Sequence, residues 1–446
     1  MGNIDTLGNS NSIRVILDID YYDSKITIGG YFKKAYSTVF NSVAQWSFNN
    51  WEPMTTGLWV GDGTVDDSAG GARTFKQYLN YLYVGGATNG AGGIINQSSH
   101  SAYNIAKWNN IDWFPLSPPT QPCGVNNTCT SLEVYKNNLY LGGWFNLSED
   151  TAGLHTTPQI ARWNDTVFSP AGLFSGDFSG AGLMCLHLYQ NRLVAGGFFS
   201  AIDGSPYGTY SGIAAYNDTI WNTLGNGFNN AVYALTVYND TLYAGGIFTT
   251  SRDGTTPLNH IAKWTGTTWQ QVGEGLNDTV YTLTVDSVNN KLYAGGGFTQ
   301  TGLGVTAKHL AEWTGTNWQE VGGGTNRAVR ALFAKDGNLY VGGTFTKVGG
   351  TQANLIACWG SNPAYVNEIN NQINNVVIYP NPSSTLFTIH SEGMKILQIK
   401  IFNIIGEEIK TIINTTTIDI TDLPNGIYFA EIKSEKAIIR KKIIKQ

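Results

Sequence analysis

The chain has 446 residues, 27 Lys plus Arg against 32 Asp plus Glu, a formal net charge of −5 and only 13% charged residues. That balance excludes a general attraction to nucleic acid or to an anionic membrane, and no run reaches the apolar length of a transmembrane helix. The 53 glycines, 13 tryptophans and 23 tyrosines fit short strands joined by tight turns, the composition of an all-β protein.

In chain order, the first signal is repetition. The block Leu242-Tyr243-Ala244-Gly245-Gly246-Ile247-Phe248 recurs from Leu139, Leu193, Leu292 and Leu339, with weaker copies from Ile26 and Leu82. The first glycine of each doublet falls at 29, 85, 142, 196, 245, 295 and 342, a spacing of 47 to 57 residues. A β-rich run such as Val232–Tyr238 precedes each doublet. After it come a block of the Ile261-Ala262-Lys263-Trp264 type, a short turn, and a second aromatic such as Trp269. Each unit therefore holds four short strands, a to d. Such units cannot close a core singly but do so by radial stacking. The paired glycines are expected where backbones crowd, and 11 of the 13 tryptophans, at repeat positions, are expected to pack between sheets. The seventh unit stops after Trp359-Gly360 without a strand d, and Asp5-Thr6-Leu7-Gly8-Asn9-Ser10 aligns with Asn222–Gly227 of a strand d. The expectation is a seven-bladed β-propeller over residues 1–360, closed by an N-terminal strand. The doublet and the later tryptophan resemble the kelch-like and galactose-oxidase-like propeller group; this implies the architecture and carries over no catalytic residue.

Residues 361–375, with Asn-Pro and an Asn-rich run, read as a linker. Residues 376–446 turn Ile-rich and charge-rich with alternating strands, the pattern of a small C-terminal β-sandwich. Three pieces stand in order: Tyr379-Pro380-Asn381-Pro382 at the opening, Ile399–Ile409 with Gly406 in the middle, and Leu423-Pro424-Asn425-Gly426-Ile427-Tyr428-Phe429 before a basic tail. Together they resemble the type A C-terminal sorting domain of the type IX secretion system of Bacteroidota. The resemblance implies partners, namely the secretion machinery and a sortase-like peptidase. It also implies a destination, the medium or the outer-membrane surface. The start, Met1-Gly2-Asn3-Ile4-Asp5, lacks the basic and apolar regions of a signal peptide, so the sequence is expected to begin downstream of one.

Candidate sites are few. Trp59 and Trp144 stand apart from the other tryptophans and are candidate ligand-binding residues. Asp62 opens Asp62-Gly63-Thr64-Val65-Asp66-Asp67, with oxygen donors at alternate positions; a solvated turn is the favoured reading and no metal is expected. His260 and His309 occupy equivalent repeat positions without the convergent ligands zinc needs. Cys123 and Cys129 form a plausible bridged loop, with Cys185 and Cys358 left over. Asp-Ser/Thr-aliphatic triplets at Asp165, Asp218, Asp240, Asp278 and Asp286 resemble the O-glycosylation motif of exported Bacteroidota proteins, although good turn chemistry explains them equally well. The longest connections are d-to-a and b-to-c in the first units, which places a ligand on that face near Trp59, Asp62, the Cys123–Cys129 loop and Trp144. No catalytic constellation stands out. The expectation is a monomeric surface binding or adhesion protein without cofactor, taking a glycan or a protein. The alternatives are a rim-site polysaccharide-active enzyme and a passive display protein.

Overall fold

A computed structural model describes residues 15–446 except 33, 36–37, 48–49, 56, 60–70, 89, 92–101, 117–122, 177–180, 361–375, 392–394, 404–407, 414 and 435–437. The chain divides into two compact units, Met1–Ser361 and Asn362–Gln446. The described residues are all-β, and none of their helices is long and apolar enough to cross a membrane.

In the first unit each sequence repeat forms one antiparallel sheet in chain order. The fifth is representative: strand a is Val232–Tyr238, b Thr241–Gly246, c Ile261–Trp264 and d Trp269–Gln271. Six such sheets have four strands, and the last, Val329–Lys335, Asn338–Gly343 and Ile356–Gly360, has three among the described residues. Strands a pack side by side from sheet to sheet, and Val329–Lys335 packs against Val15–Tyr22 of the first. The architecture is propeller-like. The N-terminal segment expected to complete the last sheet lies outside the described residues, as does the linker.

Every strand a carries a one-residue bulge opposite the glycine doublet, for example between Val280 and Thr282. The bulge divides the labour of the two glycines. A Cβ on Gly295 would lie 2.5 Å from Cγ1 of Val329 in the next sheet, whereas a Cβ on Gly296 would strike the Thr279 carbonyl within its own sheet. The sequence reading gave both glycines to crowding between sheets; only the first serves it.

The repeat aromatics fill the space between sheets. Trp108, Trp113, Trp163, Trp221, Trp269 and Trp318 are buried, and pairs such as Trp264–Trp269 stand 5.2 Å apart. Four indoles also donate back to the preceding sheet's d-to-a connection: Trp113 Nε1 to Met54 O at 2.8 Å, Trp221 to Ala171 at 2.7 Å, Trp269 to Leu224 at 2.9 Å and Trp318 to Val272 at 3.1 Å. Each satisfies a buried donor and acceptor together, which is what makes burial of the indole favourable.

The second unit pairs a three-stranded sheet, Val376–Tyr379, Leu386–Ser391 and Thr417–Asp419, with a four-stranded one in the order Glu408–Ile413, Ile396–Phe402, Gly426–Ser434, Ile438–Lys445. Phe387, Ile399, Ile401, Ile418, Ala430, Ile432 and Ile443 close one core between them.

Candidate functional site

Antiparallel order within each sheet sends d-to-a and b-to-c connections out at one end, and there they pair with each other. Leu58–Trp59 pairs with Gly90–Ala91. Cys123–Val125 lies between Ala102–Tyr103 and Leu147–Asp150, and Phe174–Ser175 pairs with Ala201–Ile202. Bridges Phe228–Ser251, Leu276–Thr301 and Thr325–Val348 repeat the arrangement. A recurring asparagine locks it: Oδ1 of Asn229 accepts from Thr249 N at 2.9 Å and Thr250 N at 3.2 Å, while its Nδ2 donates to Thr249 Oγ1 at 3.0 Å. Asn126, Asn277 and Asn326 do the same to their b-to-c partners. Sequence reasoning missed this clamp, although its signal, an asparagine three residues before strand a, was present in each unit concerned.

The expected binding residues meet this face unevenly. Trp59 is in the accessory strand opposite Gly90. Asp62 lies outside the described residues. Trp144 is 40% exposed, and it is a repeat position after all: it follows the doublet Gly142-Gly143, as Phe198 follows Gly196-Gly197. Its indole covers Gly182 of the next sheet and stands 6.1 Å from Phe198. From Phe198 the ring contacts continue to Tyr233 at 6.0 Å and Tyr281 at 5.8 Å, and the Arg330 guanidinium lies 3.6 Å over Tyr281. Arg73 donates to the Tyr31 hydroxyl at 2.8 Å.

The structure forms no bridge between Cys123 and Cys129. Cys129 opens a strand a with its sulfur turned onto Gly85 of the preceding sheet, the place Val232, Val280 and Val329 hold elsewhere. Cys123 belongs to the accessory sheet. Burial pushes the Cys129 thiol up to about 12, so it is a small apolar filler and not a nucleophile.

A second polar constellation lies on the inner strands. Asp18 and Asp20, two apart on one strand, share a side, and Asp18 accepts from Phe75 N at 2.7 Å and from Ile19 N at 2.9 Å. Lys76 of the second sheet is ion-paired with Glu133 of the third, and His187 follows in the fourth. Desolvation, with the Asp20 charge adding to it, raises Asp18 to about 8; desolvation alone raises Asp20, to about 6. Burial lowers His187. The same positions in the later sheets are Thr236, Thr284 and Phe333, so the charge is confined to the first four.

His260 and His309 both enter strand c in the left-handed region, at φ 69° and 65°, and their carbonyls accept from Gly246 N and Gly296 N at 3.0 and 3.1 Å. Asn104, Gln159, Gly212 and Leu355 hold the same conformation, so the backbone and not a ligand accounts for the coincidence. Among the described residues no group of three or more His, Cys, Asp or Glu could hold a metal.

In the second unit Tyr379, Pro380, Asn381 and Pro382 are exposed, and Asn381 Oδ1 accepts from Ile444 N at 2.9 Å, tying the opening motif to the last strand. Tyr428 is buried and donates to Pro424 O at 2.8 Å; Gly426 begins its strand. Gly406 lies outside the described residues.

Residues 377–446 match the family of secretion system C-terminal sorting domains. The second unit is therefore a type IX sorting domain, which implies engagement with the secretion machinery and delivery to the cell surface or beyond. No curated protein matches the chain. Solved structures similar to it include the computationally designed Ika8 protein (12% identity over 100% of both chains, TM-score 0.42). The WD40 β-propeller domain of Doa1 is 13% identical over 81% of this chain and 97% of its own, with TM-score 0.43. The designed Ika4 protein is 16% identical over 43% and 92%, with TM-score 0.26.

Proposed function

We propose that the protein is an exported surface binding module: a closed seven-bladed, kelch-like propeller that presents one elaborated face to a ligand, delivered by its sorting domain in a bacterium of the Bacteroidota type. The observation that carries this reading is the interlocking of d-to-a with b-to-c connections at one end of the sheets. Loops cross-linked into an outer layer form a rigid recognition surface at small entropic cost on binding. Support for closure comes from Val329–Lys335 packing on Val15–Tyr22.

The enzymatic alternative draws on Asp18 and Asp20. Against it, Asp18 accepts from two backbone N–H groups and Glu133 is ion-paired with Lys76, so neither carboxylate is without a partner. The test is expression of the full chain, with and without residues 377–446, in a host carrying the secretion system. The full chain should reach the surface or medium with its tail cleaved between 361 and 378, and the shortened chain should stay inside. A surface form still ending at Gln446 refutes processing, and equal export of both refutes the sorting role.

A further inference from the structure

The bulge at the start of each strand a turns one residue out of the ladder, and bulges commonly re-aim a side chain in this way. In the second, fifth, sixth and seventh sheets that residue is Arg73, Tyr233, Tyr281 and Arg330. Beside it stands the residue after the glycine doublet, which is Tyr31, Trp144 and Phe198 in the first, third and fourth sheets. Both positions sit at the end of the inner strands from which the elaborated connections emerge.

These side chains form a continuous arc. Trp144, Phe198, Tyr233 and Tyr281 follow one another at 6.1, 6.0 and 5.8 Å between ring centroids, and Arg330 ends the series stacked 3.6 Å over Tyr281. On the other side of the first sheet Arg73 lies 5.5 Å over Tyr31 and bonds its hydroxyl. None of these rings is buried in the inter-sheet core. Among the described residues neither arginine makes an ion pair with a carboxylate, and Arg73 Nε has no acceptor at all.

We propose that this arc binds an acidic saccharide, its ring faces packing on Trp144, Phe198 and the two tyrosines and its carboxylate meeting Arg330 or Arg73. Partly exposed aromatic rings offer flat apolar area with little entropy to lose, which suits the C–H faces of sugar rings. A guanidinium already held against an aromatic face is pre-oriented, and its planar fork matches a carboxylate in two hydrogen bonds. A neutral sugar would gain nothing from the charge of either guanidinium. Nucleic acid would need many more cations than two. The inference rests on the binding reading above and names the ligand class for the same face.

The test is titration calorimetry of the full chain with oligogalacturonate, oligomannuronate, a carboxyl-reduced oligogalacturonate and polyglutamate of matched length. An acidic oligosaccharide should bind, with the reduced form weaker by about tenfold or more, the worth of a hydrogen bond to a charged group. Arg330→Gln should weaken acid binding about tenfold at an unchanged melting temperature, and Trp144→Ala should weaken acidic and reduced sugars alike. Equal affinity for the reduced sugar, equal affinity for polyglutamate, or indifference to Arg330→Gln overturns the ligand class and leaves a binding module standing. Silence with both acidic oligosaccharides overturns the inference outright. Failure of export is read separately, by the tail-deletion experiment.

Discussion

A Cβ placed on Gly342, in the last sheet, would lie 2.6 Å from Cγ2 of Ile16, in the first. The relation is the same as that of Gly295 to Val329 and Gly245 to Val280 between adjacent sheets, both at 2.5 Å. Gly342→Ala should therefore destabilise as much as Gly295→Ala, by about 1–3 kcal/mol for an overpacked contact. Urea unfolding of both variants checks it. A neutral Gly342→Ala beside a destabilising Gly295→Ala would mean that the ring is open.

The indole clamps give a second expectation. Trp269→Phe keeps most of the apolar area but leaves the Leu224 carbonyl without its 2.9 Å donor, at a cost of about 1–3 kcal/mol for a buried unsatisfied group. Phe168 fills this place naturally in the third sheet, so the variant should fold. Chemical denaturation measures the loss, and a cost below about 0.5 kcal/mol would show the bond to be incidental.

Asp18 ties stability to pH. Its folded value of about 8 stands above the ordinary 3.8, so the native protein holds a proton that the unfolded chain has released. The contribution is complete below the unfolded value and declines as pH rises toward 8, with Asp20 adding to the fall up to about 6. Stability should thus drop from pH 4 to pH 8, and Asp18→Asn should flatten that slope by on the order of one proton. Melting curves across this range decide it; an unchanged slope removes Asp18 as the cause.

The cysteines should behave as packing residues. Cys129→Val places at this position the residue found at 232, 280 and 329 and should alter stability by less than about 1.5 kcal/mol. Denaturation without reductant should expose four reactive thiols, and a count of two would restore the bridge.

Among the Asp-Ser/Thr triplets the fold separates accessible hydroxyls from enclosed ones. Thr166, Thr219 and Ser287 are exposed, whereas Thr279 is 4% exposed and bonds Asp278 Oδ1 at 3.0 Å. If the native protein is O-glycosylated, mass spectrometry should find sugar on the first three and none on Thr279.

Much of this protein is legible in one dimension. Repetition every 47 to 57 residues reveals the four-strand unit because each unit must bury the same faces against a like neighbour. The sorting domain is legible because its motifs are local, down to Tyr379–Pro382 and Gly426–Tyr428. What needed the tertiary structure is whatever depends on which neighbour a side chain meets across sheets. Six residues of separation made Cys123 and Cys129 look like a bridge, yet strand direction turns Cys129 onto Gly85. Trp144 looked like an exception until bulge and doublet set it in line with Phe198, Tyr233 and Tyr281. Local sequence governs how a strand forms and alternates; the asparagine clamps arise when a unit brings its own two connections together, and the arc and the charged inner strands only when separate repeats are packed side by side, because those partners lie some fifty residues away in the chain.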